Sequence, residues 1–259
     1  MSRYSSIIDI TRFLFVIAII AWVMARGAGI LNYNWQWYQI PQYVFSFENG
    51  SFISGPLLSG LIVTLHISGL SMILSFILGL VTALLRLSNS FAAKGLARLY
   101  LEIIRNTPLI VQLFFIYFVL SPLLDISRFT SAVLALSLFE GAYASEIFRS
   151  GIIYIHKGQW EDAHSLGLNR FQAYRYIILP QAIQRILPPL SSQAISLVKD
   201  SALVSTIAIY DLTMQGRVII SQTYLVFEIW FTVAAIYLII LVSMSFAVNF
   251  LENHLRLKV

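Results

Sequence analysis

Apolar residues gather along this chain in runs of membrane-crossing length, not in the short alternating segments of a membrane β-barrel. A helix needs roughly 20 mainly apolar residues to cross the hydrocarbon layer. Asn49 to Leu85 contains no Asp, Glu, Lys or Arg, more than one crossing requires. Asn106 to Leu124 and Ile229 to Leu251 are equally free of formal charge. Gly55-Pro56 divides the first of these runs, because proline suits a helix start and disfavours its interior. The pattern predicts six crossings: Ile7–Ala25, Pro56–Leu85, Leu96–Ser121, Phe129–Ser150, Ile183–Ser205 and Gln222–Phe250. Glu140 and Glu146 interrupt the fourth, and Lys199 and Asp200 the fifth.

Composition agrees with this reading. Apolar residues make up 58% of the chain and charged ones only 11%, too few to wet a soluble surface. The net charge of +5 lies in clusters between apolar runs, not on one face as in a nucleic-acid binder. The chain has no cysteine, which removes disulfides, thiolate catalysis and cysteine metal sites. With the N-terminus inside, the internal segments carry Arg3, Arg12, Arg86, Lys94, Arg98, Arg149, Lys157, Arg170, Arg175, Arg185, Arg256 and Lys258. The external ones carry only Arg26, Arg128 and Arg217. Positive residues favour the cytoplasmic side, so both termini are expected in the cytoplasm.

The first crossing has a second reading. Arg3, Arg12 and the apolar Phe13–Met24 stretch, ending in Val23-Met24-Ala25, resemble a cleaved signal peptide. A retained helix is favoured because the apolar segment extends back to Ile7. The external Gly27–Ser54 segment holds Trp35, Trp37, Tyr38, Tyr43, Phe45 and Phe47, expected to anchor at headgroup level.

Between the fourth and fifth crossings, the stretch around Tyr154–Leu168 reads as a short helix ended by Gly167, which accepts the left-handed conformation. Asn169 then caps a second helix, with Gln172 in the capping-box position, running to about Leu179 before Pro180. Helix–turn–helix also describes DNA readers, but no basic recognition face is evident and a tether between two crossings is sterically awkward. A protruding pair suits docking into a partner's groove, with Trp160 and Leu166 as anchors.

Glu161-Asp162-Ala163, Gly167, Ile177 and Leu179-Pro180 follow the spacing of the EAA loop of ABC importer permeases. Asp162 stands where that loop usually has alanine, and His156 where it usually has proline. Arg105–Phe115, Gly141-Ala142-Tyr143 with Glu146–Arg149, Lys157–Trp160 and Leu197–Ser205 extend the match, in order, to the polar amino-acid permeases. From about Gly60 onward the chain resembles that family of histidine, glutamine and arginine type.

The resemblance implies an all-α polytopic transmembrane bundle in the inner membrane of a bacterium, with five core helices, here an added N-terminal helix, and a cytoplasmic EAA coupling loop. Residues 1–55 would hold that helix and the external aromatic segment; 56–259 would form the permease core, its loop at about 154–182. It also implies a cytoplasmic ATPase dimer that binds ATP and magnesium, a second permease subunit, identical or homologous, and an external solute-binding protein. The chain itself has no Walker A loop and no cofactor of its own, so it is expected not to be an enzyme.

Charges at membrane depth cost about 2.5–3.5 kcal/mol each and should face protein or water. Glu140, Lys199 and Asp200 are the candidates, either as interhelical glue, with Glu140 against Lys199, or as the lining of a path for a zwitterion. Gln112 and Tyr143 join them as candidate path residues. His66 is expected to face the bundle, and Arg105–Pro108 to kink the third crossing. An intramembrane enzyme finds no nucleophile–base pair or paired metal motif. A proton-coupled secondary transporter would use the same carboxylates and often shows internal repeats, of which none is convincing here.

Overall fold

The computed structural model describes residues 11–12, 14–19, 22, 26–27, 33–48 and 51–256. Two units are distinguished, Met1–Gln39 and Ile40–Val259. In the first, residues 11–12, 14–19 and 22 are helical, but the expected Ile7–Ala25 crossing lies largely outside the described residues, as does the Val23-Met24-Ala25 site. Its aromatics pack on one another: the Trp35 and Trp37 rings stack at 6.0 Å, and Tyr33 meets Trp35 edge-on at 5.2 Å.

The second unit begins with a short helix, α1 (Pro41–Val44), and an antiparallel hairpin of β1 (Phe45–Glu48) and β2 (Ser51–Ser54). This ladder is the one sheet among the described residues of an otherwise helical chain. Gly55 follows it in close approach: a Cβ there would stand 2.4 Å from the Tyr43 carbonyl oxygen. Pro56 then opens α2 (Pro56–Leu87), as its missing N–H predicts. The chain continues through α3 (Phe91–Arg105), α4 (Leu109–Leu124), α5 (Arg128–Ile153), α6 (Lys157–Ser165), α7 (Arg170–Ile207), α8 (Leu212–Thr223) and α9 (Val226–Arg256). Ser90, Ser127 and Asp211 cap α3, α5 and α8 by accepting a hydrogen bond from a backbone N–H three residues on.

Among the described residues α2, α5 and α9 are each long and apolar enough to cross a membrane. Two further pairs do so only together: α3 with α4, bent by 104°, and α7 with α8, bent by 47°. The predicted Leu96–Ser121 crossing is therefore two helices meeting at a corner, not one kinked rod. Side chains make the corner possible by satisfying the last carbonyls of α3. Asn106 Nδ2 donates to Glu102 O at 2.7 Å, Thr107 Oγ1 to Ile103 O at 2.8 Å, and Gln112 Nε2 to Ile104 O at 2.8 Å.

The predicted helix end at Leu179 is also corrected. A π turn over Tyr174–Ile178, in which the Leu179 N–H reaches Tyr174 O, carries the helix past Pro180 into the longer α7. The wider turn relaxes the register where a proline ring would otherwise crowd the preceding turn. Likewise α8 was not expected as an element.

α2 and α5 form the centre and run in the same direction. Ser71 Oγ donates to Val133 O, Ser137 Oγ to Ser71 O, and Arg86 near the end of α2 reaches Glu146 near the end of α5. Close approach rests on small residues, Ser71, Ser75, Gly79 and Ala83 on α2 meeting Ser137, Gly141 and Ser145 on α5. At Gly79 a Cβ would come within 2.8 Å of Ala144 Cβ. Because α2 and α5 run parallel, α3 and α4 between them return the chain from the end of one to the start of the other. His66, expected to face the bundle, is instead exposed on α2.

Candidate functional site

The projecting helix pair is built from strictly local signals. α6 stops at Ser165, Gly167 takes φ +74°, and Asn169 exchanges hydrogen bonds with Gln172 at 2.9 Å in both directions. His164 Nδ1 lies 2.9 Å from Trp160 O, and Ser165 Oγ donates to Glu161 O.

Inside the pair, Ala163 and Ala173 are fully buried and the Trp160 ring meets Tyr174 edge-on at 4.8 Å. Gln181 Nε2 donates to Gln159 Oε1 at 2.7 Å, clamping α6 to α7. Trp160 and Ile177 continue inward against a cluster of Ala144, Ile155, Ile178, Ala182, Ile186 and Leu190, with Phe76 and Phe148 beside it. Trp160 is thus a fastener of the pair, not the docking anchor expected of it beside Leu166. The outward face carries Glu161, Asp162, Gly167, Leu179 and Pro180, with Leu166 at 74% exposure. Phe171, 77% exposed, and Tyr176 share that exposure and escaped the sequence reading, although an aromatic two residues after a cap was visible there.

The second group lies along α5, where it packs against α3 and, separately, against α7. Glu140 is 1% exposed and accepts a hydrogen bond from Gln193 Nε2, not an ion pair from Lys199. The Asp200 carboxyl lies close to Glu140, whose Oε1 has no hydrogen-bond donor among the described residues. Lys199 is exposed and Asp200 half-buried. Gln112 spends its amide on the α3–α4 corner, donating to Thr107 Oγ1 as well as to Ile104 O.

Tyr143 borders a cavity of about 340 Å³ shared with Leu101, Glu102, Arg105 and Asn106. The Arg105 guanidinium lies 5.9 Å from the Tyr143 ring centre, and Asn106 Nδ2 donates to Glu102 Oε2 at 2.9 Å. Glu102 and Arg105 thus bring opposite charges to one polar cavity. Neither was singled out as a path residue in the sequence, because the α3–α4 corner that brings them beside Tyr143 is a tertiary feature. Among the described residues no group of three His, Asp or Glu side chains is placed to hold a metal ion.

Residues 75–257 match the family described as binding-protein-dependent transport system inner membrane component. The glutamine transport system permease protein GlnP of Escherichia coli (strain K12) is 40% identical over 204 residues, covering 78% of this chain and 93% of its own. The probable glutamine ABC transporter permease protein GlnM of Bacillus subtilis (strain 168) is 37% identical over 200 residues, with 77% and 93% covered. A crystal structure of an amino acid ABC transporter with histidines superposes with a TM-score of 0.72 at 40% identity, covering 77% of this chain and 94% of that one.

Proposed function

The chain belongs to the family of binding-protein-dependent transport system inner membrane components, and from that premise we propose that it is the membrane-spanning subunit of an ATP-driven importer for a polar amino acid of the glutamine type. One observation carries the coupling role: α6 and the start of α7 are fastened to α2 and α5 through Trp160, Ile177 and Ile178 while presenting Leu166 and Phe171 outward. A helix pair held this way transmits displacement without sliding, because packed interiors yield little.

In this reading residues 154–182 dock on the cytoplasmic ATPase dimer. Trp160, Ala163 and Ile177 hold the docking helix rigid; Leu166, Gly167, Leu179 and Pro180 shape its contact; Glu161 and Asp162 orient it through charge. ATP and magnesium are bound and hydrolysed there, in the partner. A second permease subunit completes the pathway, an external solute-binding protein delivers the solute, and membrane lipid surrounds the rest.

The path takes in Glu140, Tyr143, Lys199 and Asp200, with Gln112 fixing the corner at its edge. The cavity between Glu102 and Arg105 suits a zwitterion, whose ammonium and carboxylate need one partner of each sign.

The test is affinity purification of the chain from native membranes with mass spectrometry of what accompanies it. A Walker-type ATPase should co-purify and be lost when 154–182 is replaced, and uptake should follow ATP. Repeated purification without an ATPase, with uptake following a proton gradient, would move the chain to the secondary transporters.

A further inference from the structure

The same face of α3 continues away from Tyr143 into a second cavity, of about 320 Å³, which shares Leu101, Glu102 and Arg105 with the first and adds Arg86, Lys94, Arg98 and Arg149, which the transport reading leaves unused. Lys94, Arg98 and Arg105 fall on one stripe of α3 by helical spacing. Arg86 from the end of α2 and Arg149 from the end of α5 close the cavity from the other side. Five cations thus converge on one space whose single lining carboxylate is Glu102, already engaged by Asn106.

Glu146 holds Arg86 and Arg149 in place, leaving Lys94 and Arg98 without an ion pair among the described residues. Arg149 Nε is buried and has no acceptor there. Cations spread along a loop would satisfy the positive-inside rule; cations gathered around a cavity with an unanswered donor ask for an anion.

The surroundings say which kind. Leu96, Leu99 and Ile103 are exposed on the remaining surface of α3, and Ile153 is exposed at the cavity's edge. Apolar side chains border the charged space, as the boundary between headgroups and acyl chains requires. We propose that this cavity, between the ends of α2 and α5 and the length of α3, binds a phosphate-bearing anion. The site has two possible sources of that chemistry, the headgroup of an anionic phospholipid and a soluble phosphate compound, and the apolar border favours the lipid. It adjoins the substrate cavity and shares Leu101, Glu102 and Arg105 with it, whereas Lys94, Arg98 and Arg149 border only this one.

The experiment uses the whole complex, purified with its ATPase and placed in nanodiscs of equal parts phosphatidylglycerol and phosphatidylcholine, then released for native mass spectrometry. The intact complex should retain phosphatidylglycerol in preference to phosphatidylcholine. Lys94→Gln with Arg98→Gln should weaken that retention roughly 25-fold, about a factor of five for each cation. Lys94→Arg with Arg98→Lys should keep it. Retention unmoved by millimolar inorganic phosphate assigns the site to the lipid; displacement by phosphate, with direct phosphate binding to the intact complex, assigns it to a soluble compound.

Equal retention by the intact complex and the neutralised one overturns the proposal, as does no preference between the two lipids in the intact complex. Loss of the ATPase from the neutralised complex with lipid retention unchanged makes this face a protein contact and also overturns it. A measurement free of any variant stands beside these: the preference of the intact complex should fall as ionic strength rises, because exposed cations are screened. A preference indifferent to salt is incompatible with the site.

Discussion

Gly151 of α5 faces Ile186 of α7 so closely that a Cβ on the glycine would stand 2.2 Å from the isoleucine Cγ1. The contact lies at the root of the projecting helix pair, where α7 enters the bundle. Gly151→Ala should therefore push Ile186 off its rotamer and lower the stability of the purified complex by about 1–3 kcal/mol. Ile186→Ala, which removes the clashing atoms, should recover part of that loss when combined with it. Thermal unfolding of the four members of this cycle checks the coupling, and strictly additive losses would refute direct contact.

Glu140 and Gln193 make a second pair with a readable asymmetry. Gln193→Leu leaves a fully buried carboxyl without its donor and should cost about 1–3 kcal/mol in the same unfolding assay. Glu140→Gln keeps an acceptor for Gln193 and offers an amide N–H beside Asp200, so it should be neutral or stabilising. Its uptake selectivity should not change if Glu140 is a structural residue. A selective loss of lysine or arginine uptake would instead make Glu140 a charge filter on the path.

What could be read from the sequence was local. Gly55-Pro56, Gly167 and the Asn169–Gln172 box act through one turn of backbone, and each punctuates the chain where its chemistry requires. Glu140 was legible as a buried charge but not as the partner of Gln193, fifty-three positions away. The corner at Asn106–Pro108 reads as a kink because proline alone gives no angle; the 104° bend depends on three side chains capping three carbonyls. Pro180 reads as a stop because the π turn before it leaves no mark in hydropathy. Trp160 reads as a docking anchor because hydropathy does not show which face of a helix is covered, whereas Tyr174 and the buried cluster beneath draw it in.

The turn at Gly167 separates backbone from contact. Among the described residues no neighbouring atom lies within 4 Å of where its Cβ would be, so substitution there tests φ without disturbing packing inside the chain, and the asparagine variant controls for the added side chain at the docking face. Gly167→Val forces a β-branched residue into the left-handed region at about 1–3 kcal/mol, whereas Gly167→Asn occupies that region readily. Transport-coupled ATP hydrolysis in proteoliposomes should fall sharply for valine, little for asparagine, and less for Glu161→Gln than for valine. Normal coupling in the valine complex would end the turn-based account.

Phe171 and Trp160 let docking be told apart from rigidity. Both are large aromatics of the helix pair, but one is 77% exposed and the other packs on Tyr174 above the cluster. Phe171 has no ring partner among the described residues, and an exposed aromatic contributes to stability only when something covers it, so Phe171→Ala should leave unfolding of the isolated permease within about 0.5 kcal/mol. It should weaken ATPase binding by tenfold or more, since a covered aromatic anchor is commonly worth about 2 kcal/mol at an interface. Trp160→Ala should do the reverse in order: about 2 kcal/mol of stability lost first, with coupling failing as a consequence. Titrating the ATPase against each variant in detergent, beside their unfolding curves, gives both numbers. If Phe171→Ala bound the ATPase with unchanged affinity, the outward face of the pair would not be the docking surface, and the coupling contact would have to lie elsewhere on the chain.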